Sequence, residues 1–161
     1  MLALGDALAL AVSHLKRFTL EDFARFHPGG ALGLRLTKVR ELMRSGDKLA
    51  SLPPGSKVRE ALLEITRARS GVCLVVEGNR LAGIFSDGDL RRALAGKGAS
   101  LEATLAEVMT KNPARIRAEE LAASAAHLMK TKRINQLPVV EDDGHVCGLL
   151  DVQDLLDVGL L

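Results

Sequence analysis

Apolar residues along this chain switch between two periods, and they do so in the same order twice. Val58, Ala61, Leu62 and Ile65 fall at i, i+3, i+4 and i+7, one face of a helix for which Ser56 is the expected N-cap. VCLVV at residues 72–76 is short and rich in β-branched side chains, which predicts a buried strand. Glu77, Gly78 and Asn79 then turn the chain, residues 81–85 return, and Ser86 opens a short helix. In the second half Leu121, Ala125, Leu128 and Met129 mark a helix, residues 137–140 and 146–150 a strand pair, and residues 153–158 a final helix.

The residues repeat as well as the periods. VRELM at 39–43 recurs as LAEVM at 105–109, and IFSDGDLRR at 84–92 recurs more loosely as LLDVQDLLD at 149–157. Ala61 and Ala125, Ile65 and Met129, and Val75 and Val139 are each 64 residues apart; Gly83 and Gly148, like Asp89 and Asp154, are 65 apart. The extra residue falls where EGNRLAG is matched by EDDGHVCG, a hairpin turn able to absorb an insertion. Each unit therefore runs strand, helix, strand, strand, helix over about 55 to 60 residues, which is marginal for independent folding. Two such units are expected to pack sheet to sheet and share a core.

Residues 1–38 find no partner in the repeat. Residues 2–16 form a helix candidate, and Thr19 with Asp22 fits a capping box for a second short helix over 22–26. His27-Pro28-Gly29-Gly30 ends it, because proline fixes φ and the glycines permit a sharp turn directly after an imidazole.

Composition narrows the classes of function. The 161 residues are 47% hydrophobic and 26% charged, with a net charge of +2. That balance argues against nucleic-acid binding, whose affinity comes mainly from clustered lysine and arginine. Trp and Tyr are absent and only four Phe occur, so no aromatic platform for stacking bases exists. Apolar stretches end well short of the roughly 20 residues of a spanning helix, and the N-terminus lacks the basic region and cleavage site of a signal peptide. The expectation is a cytosolic chain. Cys73 and Cys147 sit inside apolar runs without a CxxC, which suits buried, reduced thiols. His14, His127 and His145 have no metal-ligand spacing, so no metal site is expected.

The element order, the repeat, and the residues VRELM, GIFSDGDLRR and LPVV with CGLLDVQDLL resemble the tandem CBS-domain pair, or Bateman module. The resemblance covers residues 39–161, with a first domain at 39–98 and a second at 99–161, and implies an α+β fold whose clefts bind adenine or other nucleotides. GDALA together with FTLEDFARFHPGGALGLRL resembles the C-terminal end of the sugar isomerase (SIS) domain in the D-arabinose-5-phosphate isomerase family. Residues 1–38 are then a helical SIS remnant. That family interconverts D-ribulose 5-phosphate and D-arabinose 5-phosphate to supply Kdo for lipopolysaccharide or capsule in Gram-negative bacteria. Most of a SIS domain is missing from this sequence, so the chain is expected to be truncated and inactive alone.

By the same resemblance His27 is the catalytic residue of the full-length enzyme, where a group titrating near neutrality suits proton transfer through an enediol or the preceding ring opening. Taken alone, it reads as a histidine at a helix C-terminus. Ser86, Asp87 and Asp89 are the ligand candidates: in CBS pairs such a hydroxyl and nearby backbone N–H groups meet phosphate while the Asp receives ribose hydroxyls. Ser-x-x-Asp also fits a plain helix cap, and one arrangement can serve both purposes. Gly71, Val72, Cys73, Arg91 and Arg133 complete the expected ligand set; Arg91, Arg92, Lys130, Lys132 and Arg133 could each meet a phosphate or carboxylate, though taken singly each reads more readily as a solvated face. In the second unit Asp151 stands where the first has Ser86. A carboxylate about 5 Å from a phosphate costs roughly 3 kcal/mol at an effective dielectric near 20, about a hundredfold in affinity. Unequal clefts are therefore expected. No cofactor is required on this reading, and the effector candidates are CMP-Kdo, from its place at the end of the pathway, and AMP or ATP. The pair is also expected to self-associate as a homodimer, within a tetramer of the full-length enzyme, through outward apolar positions such as Leu94, Leu155, Leu156, Val158 and Leu160.

Overall fold

In the computed structural model, which describes residues 2–19, 22, 34, 36–95 and 100–161, each strand pair becomes the centre of its own small sheet. Helix α1 (Leu2–Leu15) is followed by α2 (Val39–Leu42), β1 (Ser51–Leu52), α3 (Val58–Ala68), β2 (Val72–Glu77), β3 (Arg80–Ser86) and α4 (Asp87–Ala95). Then come α5 (Leu105–Val108), β4 (Thr110–Lys111), β5 (Ile116–Arg117), α6 (Ala122–Lys132), β6 (Gln136–Val140), β7 (Val146–Asp151) and α7 (Val152–Asp157). One sheet is ordered β1-β2-β3-β4 and the other β5-β6-β7. In both, the leading strand is parallel to its neighbour and the hairpin antiparallel, with a register shift at the matched positions Val75/Val76 and Val139/Val140. This is the expected α+β pair.

Three expectations need correction or delimiting. Helix α3 starts one residue later than Ser56 implies: its N-cap is Lys57, whose backbone N–H donates to Glu60 Oε2 at 3.0 Å. Ser56 instead lends its carbonyl to the Leu105 N–H, at 2.8 Å, across the two halves. Leu155 is fully buried in the second core and is no outward position, because the short α7 turns that face onto α6, whereas Leu94 and Leu156 are exposed. The Thr19–Asp22 box forms as read, with each residue's backbone N–H donating to the other's side chain. The helix it was expected to start and His27 lie outside the described residues.

The two units exchange their leading segments. Val39, Leu42 and Met43 begin the first unit but pack into the core of the second, beside Ile116, Met129, Leu137 and Leu150. Leu105, Val108 and Met109 begin the second unit and pack into the core of the first, beside Val58, Ala61, Cys73 and Phe85. Backbone pairing follows the same exchange. Thr110 and Lys111 extend the first sheet by pairing with Ile84 and Gly83, while Arg44 bridges to Leu149 through N–H···O bonds of 2.8 and 3.0 Å. Close approach at both places requires glycine: a Cβ on Gly83 would lie 2.5 Å from Met109 Sδ and 2.9 Å from the Thr110 carbonyl oxygen. One on Gly148 would lie 2.6 Å from Met43 Sδ and 2.9 Å from the Arg44 carbonyl oxygen. A third cluster, Val72, Leu74 and Leu149 with Leu81, Ile84 and Val146 against them, joins the sheets.

Candidate functional site

Ser86 is the last residue of β3, paired with Val72, and hands the chain to α4. Its neighbour three residues on, Asp89, is only 2% exposed. Asp89 Oδ2 accepts from the Ser86 backbone N–H at 2.8 Å and the Ser86 hydroxyl at 2.6 Å. Oδ1 accepts from Arg92 Nη2 at 2.5 Å and from the Thr110 hydroxyl at 2.7 Å. Four donors thus meet the four acceptor positions of a carboxylate. Burial pushes the Asp89 carboxyl up, but the bonds from Ser86, Thr110 and Arg92 together outweigh it and hold it below the ordinary aspartate value. Asp87 and Arg91 are exposed at the surface of the same helix, and the Arg92 side chain is exposed although its tip reaches Asp89.

The other expected residues lie on both sides of the boundary between units. Val72 belongs to the cluster joining the sheets and Cys73 to the first core, so what either can offer a ligand is backbone. Burial pushes the Cys73 thiol up to about 12 and the half-buried Cys147 thiol up to about 11. Gly71, at φ +71°, brings its Cα close enough to Gln136 that an added Cβ would sit 3.5 Å from Nε2. Arg133 is exposed and ends α6 in the left-handed region, as Arg69 ends α3. In the second unit Asp154 Oδ2 accepts from the Asp151 N–H at 2.9 Å, matching the Ser86–Asp89 bond. Here, however, the exchanged segment supplies Arg44, whose Nε lies 3.0 and 3.1 Å from the two Asp154 oxygens, with Nη2 3.0 Å from Oδ1. Asp151 accepts from Gln136 Nε2 and the Gln153 N–H, each at 2.9 Å, and lies 3.8 Å from the same guanidinium.

With this geometry in place, comparison with known proteins is decisive for the family. The CBS domain family matches residues 39–96 and again 105–160. The chain belongs to the CBS-domain family. Its CBS pair has the fold of CBSX2 solved in complex with AMP, at 25% identity and TM-score 0.67 over 77% of this chain and 96% of that one. The cytosolic domain of the Mg2+ channel MgtE, solved with ATP, is similar at 28% identity and TM-score 0.59 over 71% and 46%. Among curated proteins, the arabinose 5-phosphate isomerase KdsD of Pseudomonas aeruginosa is 45% identical over 162 residues, and that of Francisella tularensis 42% over 160. Both alignments take in 99% of this chain, which spans about half the length of those relatives.

Sequence reading missed Thr110 as a partner of Asp89 in the CBS pair. The signal was available, because the VRELMR and LAEVMT segments align Thr110 with Arg44, but nothing local reveals that each segment closes the opposite unit. The Ser86–Asp89 cluster thus presents hydroxyls, a shielded carboxylate and the exposed Arg92 guanidinium. The second cleft offers two carboxylates held by a guanidinium only 22% exposed. Among the described residues no group of three or more His, Cys, Asp and Glu could hold a metal ion, and no helix is long and apolar enough to cross a membrane.

Proposed function

We propose that this CBS pair is the nucleotide-sensing part of a D-arabinose-5-phosphate isomerase and that its ligand enters the cleft at Ser86 and Asp89. The similarity to KdsD over 99% of the chain carries the enzyme assignment. The Ser86–Asp89–Thr110–Arg92 cluster carries the site, supported by the AMP and ATP in the structurally similar CBS proteins. On this reading a phosphate meets the Ser86 hydroxyl and Arg92, ribose hydroxyls replace Thr110 or Arg92 on Asp89, and Asp87, Arg91 and Arg133 border the entrance. Gly71, Val72 and Cys73 contribute backbone to the base. Binding biases the isomerase through a coupling that acts equally in both directions. The effector is AMP or ATP, or the activated sugar CMP-Kdo, which presents one phosphate, one ribose and a carboxylate.

His27 is the catalytic residue of the whole enzyme on this reading, residues 1–38 belong to its SIS domain, the protein is cytoplasmic, and the chain alone does not isomerise. Thermal shift against AMP, ATP and CMP-Kdo tests the sensing role. A ligand at 100 times its dissociation constant stabilises by about 2.7 kcal/mol. The response should vanish in Asp89→Ala, and an undiminished response there would move the site elsewhere. A second reading, assembly of the isomerase oligomer through dimers of CBS pairs, is favoured by the exposed Leu63, Leu94 and Leu156, at 73%, 55% and 45%. Ligand-free dimers with no nucleotide response would select it.

A further inference from the structure

The exchanged segments bring different residues to the two cap carboxylates from one pseudo-equivalent position. In the first cleft, Thr110 places a neutral hydroxyl on the cap carboxylate; in the second, Arg44 places a guanidinium there. We infer that Arg44 is the residue that reserves the pair for one ligand, by occupying the second cleft as an internal cation and locking it shut. This deepens, and rests on, the reading of the first cleft as a nucleotide site.

Three observations carry it. The Arg44 guanidinium engages both Asp154 oxygens, so the carboxylate that would receive ribose hydroxyls is already taken by a cation at each oxygen, whereas the Arg92 guanidinium bonds only Oδ1 of Asp89 and leaves Oδ2 to Ser86. The cation of the lock is sheltered: the Arg44 side chain is 22% exposed, whereas the Arg92 side chain is 68% exposed and free to yield to a ligand, although both cap carboxylates, Asp154 at 17% and Asp89 at 2%, lie largely out of solvent. It is also tied on its far side, because Arg44 Nη1 donates to the Arg69 carbonyl at 3.3 Å and Gln136 holds Asp151 while abutting Gly71. A nucleotide entering the second cleft must displace Arg44 from Asp154 to seat its ribose, and its phosphate then faces Asp151 where the first cleft presents a hydroxyl.

The test is calorimetry with AMP on the full chain and on the triple variant Arg44→Thr with Asp151→Ser, made together with Asp157→Arg so that the second cleft carries counterparts of Thr110, Ser86 and Arg92. The parent is expected to bind one AMP, lost in Asp89→Ala. The triple variant should bind two, and adding Asp89→Ala to it should leave one. Two sites in the parent, or no added site in the triple variant, overturns the inference. If the parent binds no AMP, the proposed function fails separately; a site gained in the triple variant then still supports the lock, and none gained overturns it. Should the triple variant not melt cooperatively, amide shifts of the parent decide. Perturbation of residues 151–154 by AMP at or below the concentration that perturbs residues 86–89 overturns the lock, and silence at 151–154 supports it.

Discussion

Asp89 is a structural cap residue and, in the proposed site, also the group that receives the ligand. Its folded-state carboxyl is held below the ordinary value, so it adds stability above the unfolded aspartate pKa and loses it as the pH falls through the folded value. Replacing it with Asn should cost roughly 2 kcal/mol at neutral pH, as expected for hydrogen bonds to a charged group. The gap between parent and Asp89→Asn should narrow as pH drops below about 4. Urea titrations across that range measure both, and a gap independent of pH would remove the carboxylate from the stability of the cap. Gly83 and Gly148 make a matched pair at the same scale. Adding a methyl at either meets a methionine sulfur, which can move, and a ladder carbonyl, which cannot move without breaking strand pairing. Gly83→Ala and Gly148→Ala should each destabilise by about 1–3 kcal/mol. Denaturant midpoints of the two variants read this directly.

Among elements, α3, β2 and β3 were legible because their signals are local: helical spacing at Val58, Ala61, Leu62 and Ile65, and a dense β-branched run at residues 72–76. Ser86 and Asp89 were legible for the same reason, since three residues suffice to form the cap. The destinations of α2 and α5 were not. Four residues bury too little surface to encode a partner, and the partners chosen lie far along the chain, with Val39 against Leu137 and Leu105 against Phe85 in their respective cores. Helix α1 is exposed along most of its length, including Leu4, Leu8, Leu10 and Leu15, and its sequence is apolar on every side. A consequence of the exchange is that sequence repeats are not the best folding fragments. Residues 45–111 contain β1 to β4 and the complete first core; residues 39–98 carry α2 without its partner and lack α5 and β4. Circular dichroism melts should show the cooperative transition in 45–111 and a weaker, broader one in 39–98. The reverse order would contradict the packing.

At the scale of the molecule, the shared cluster of Val72, Leu74 and Leu149 and the two exchanged segments leave neither unit complete without the other. The hairpin turns also meet, with Arg80 bridged to His145 and the Val146 N–H donating to the Asn79 carbonyl at 2.9 Å. Both units should therefore unfold in one step, and the two cysteines report it. Cys73 is buried in the first core and Cys147 packs against the second. Their labelling under native conditions should follow thiolate supply, slow for both, and should accelerate at the same urea concentration. Separate midpoints would mean that the halves come apart before either melts.

The crossed leading segments also bear on origin. A lone ancestor carrying one such unit could complete its sheet and core only by borrowing the segment of a second copy, which describes a reciprocally swapped homodimer. Joining two such copies head to tail turns the loan into an intramolecular contact at high effective concentration. With concentration no longer governing assembly, the residues that the two segments lend need not be the same, and here one is threonine and the other arginine.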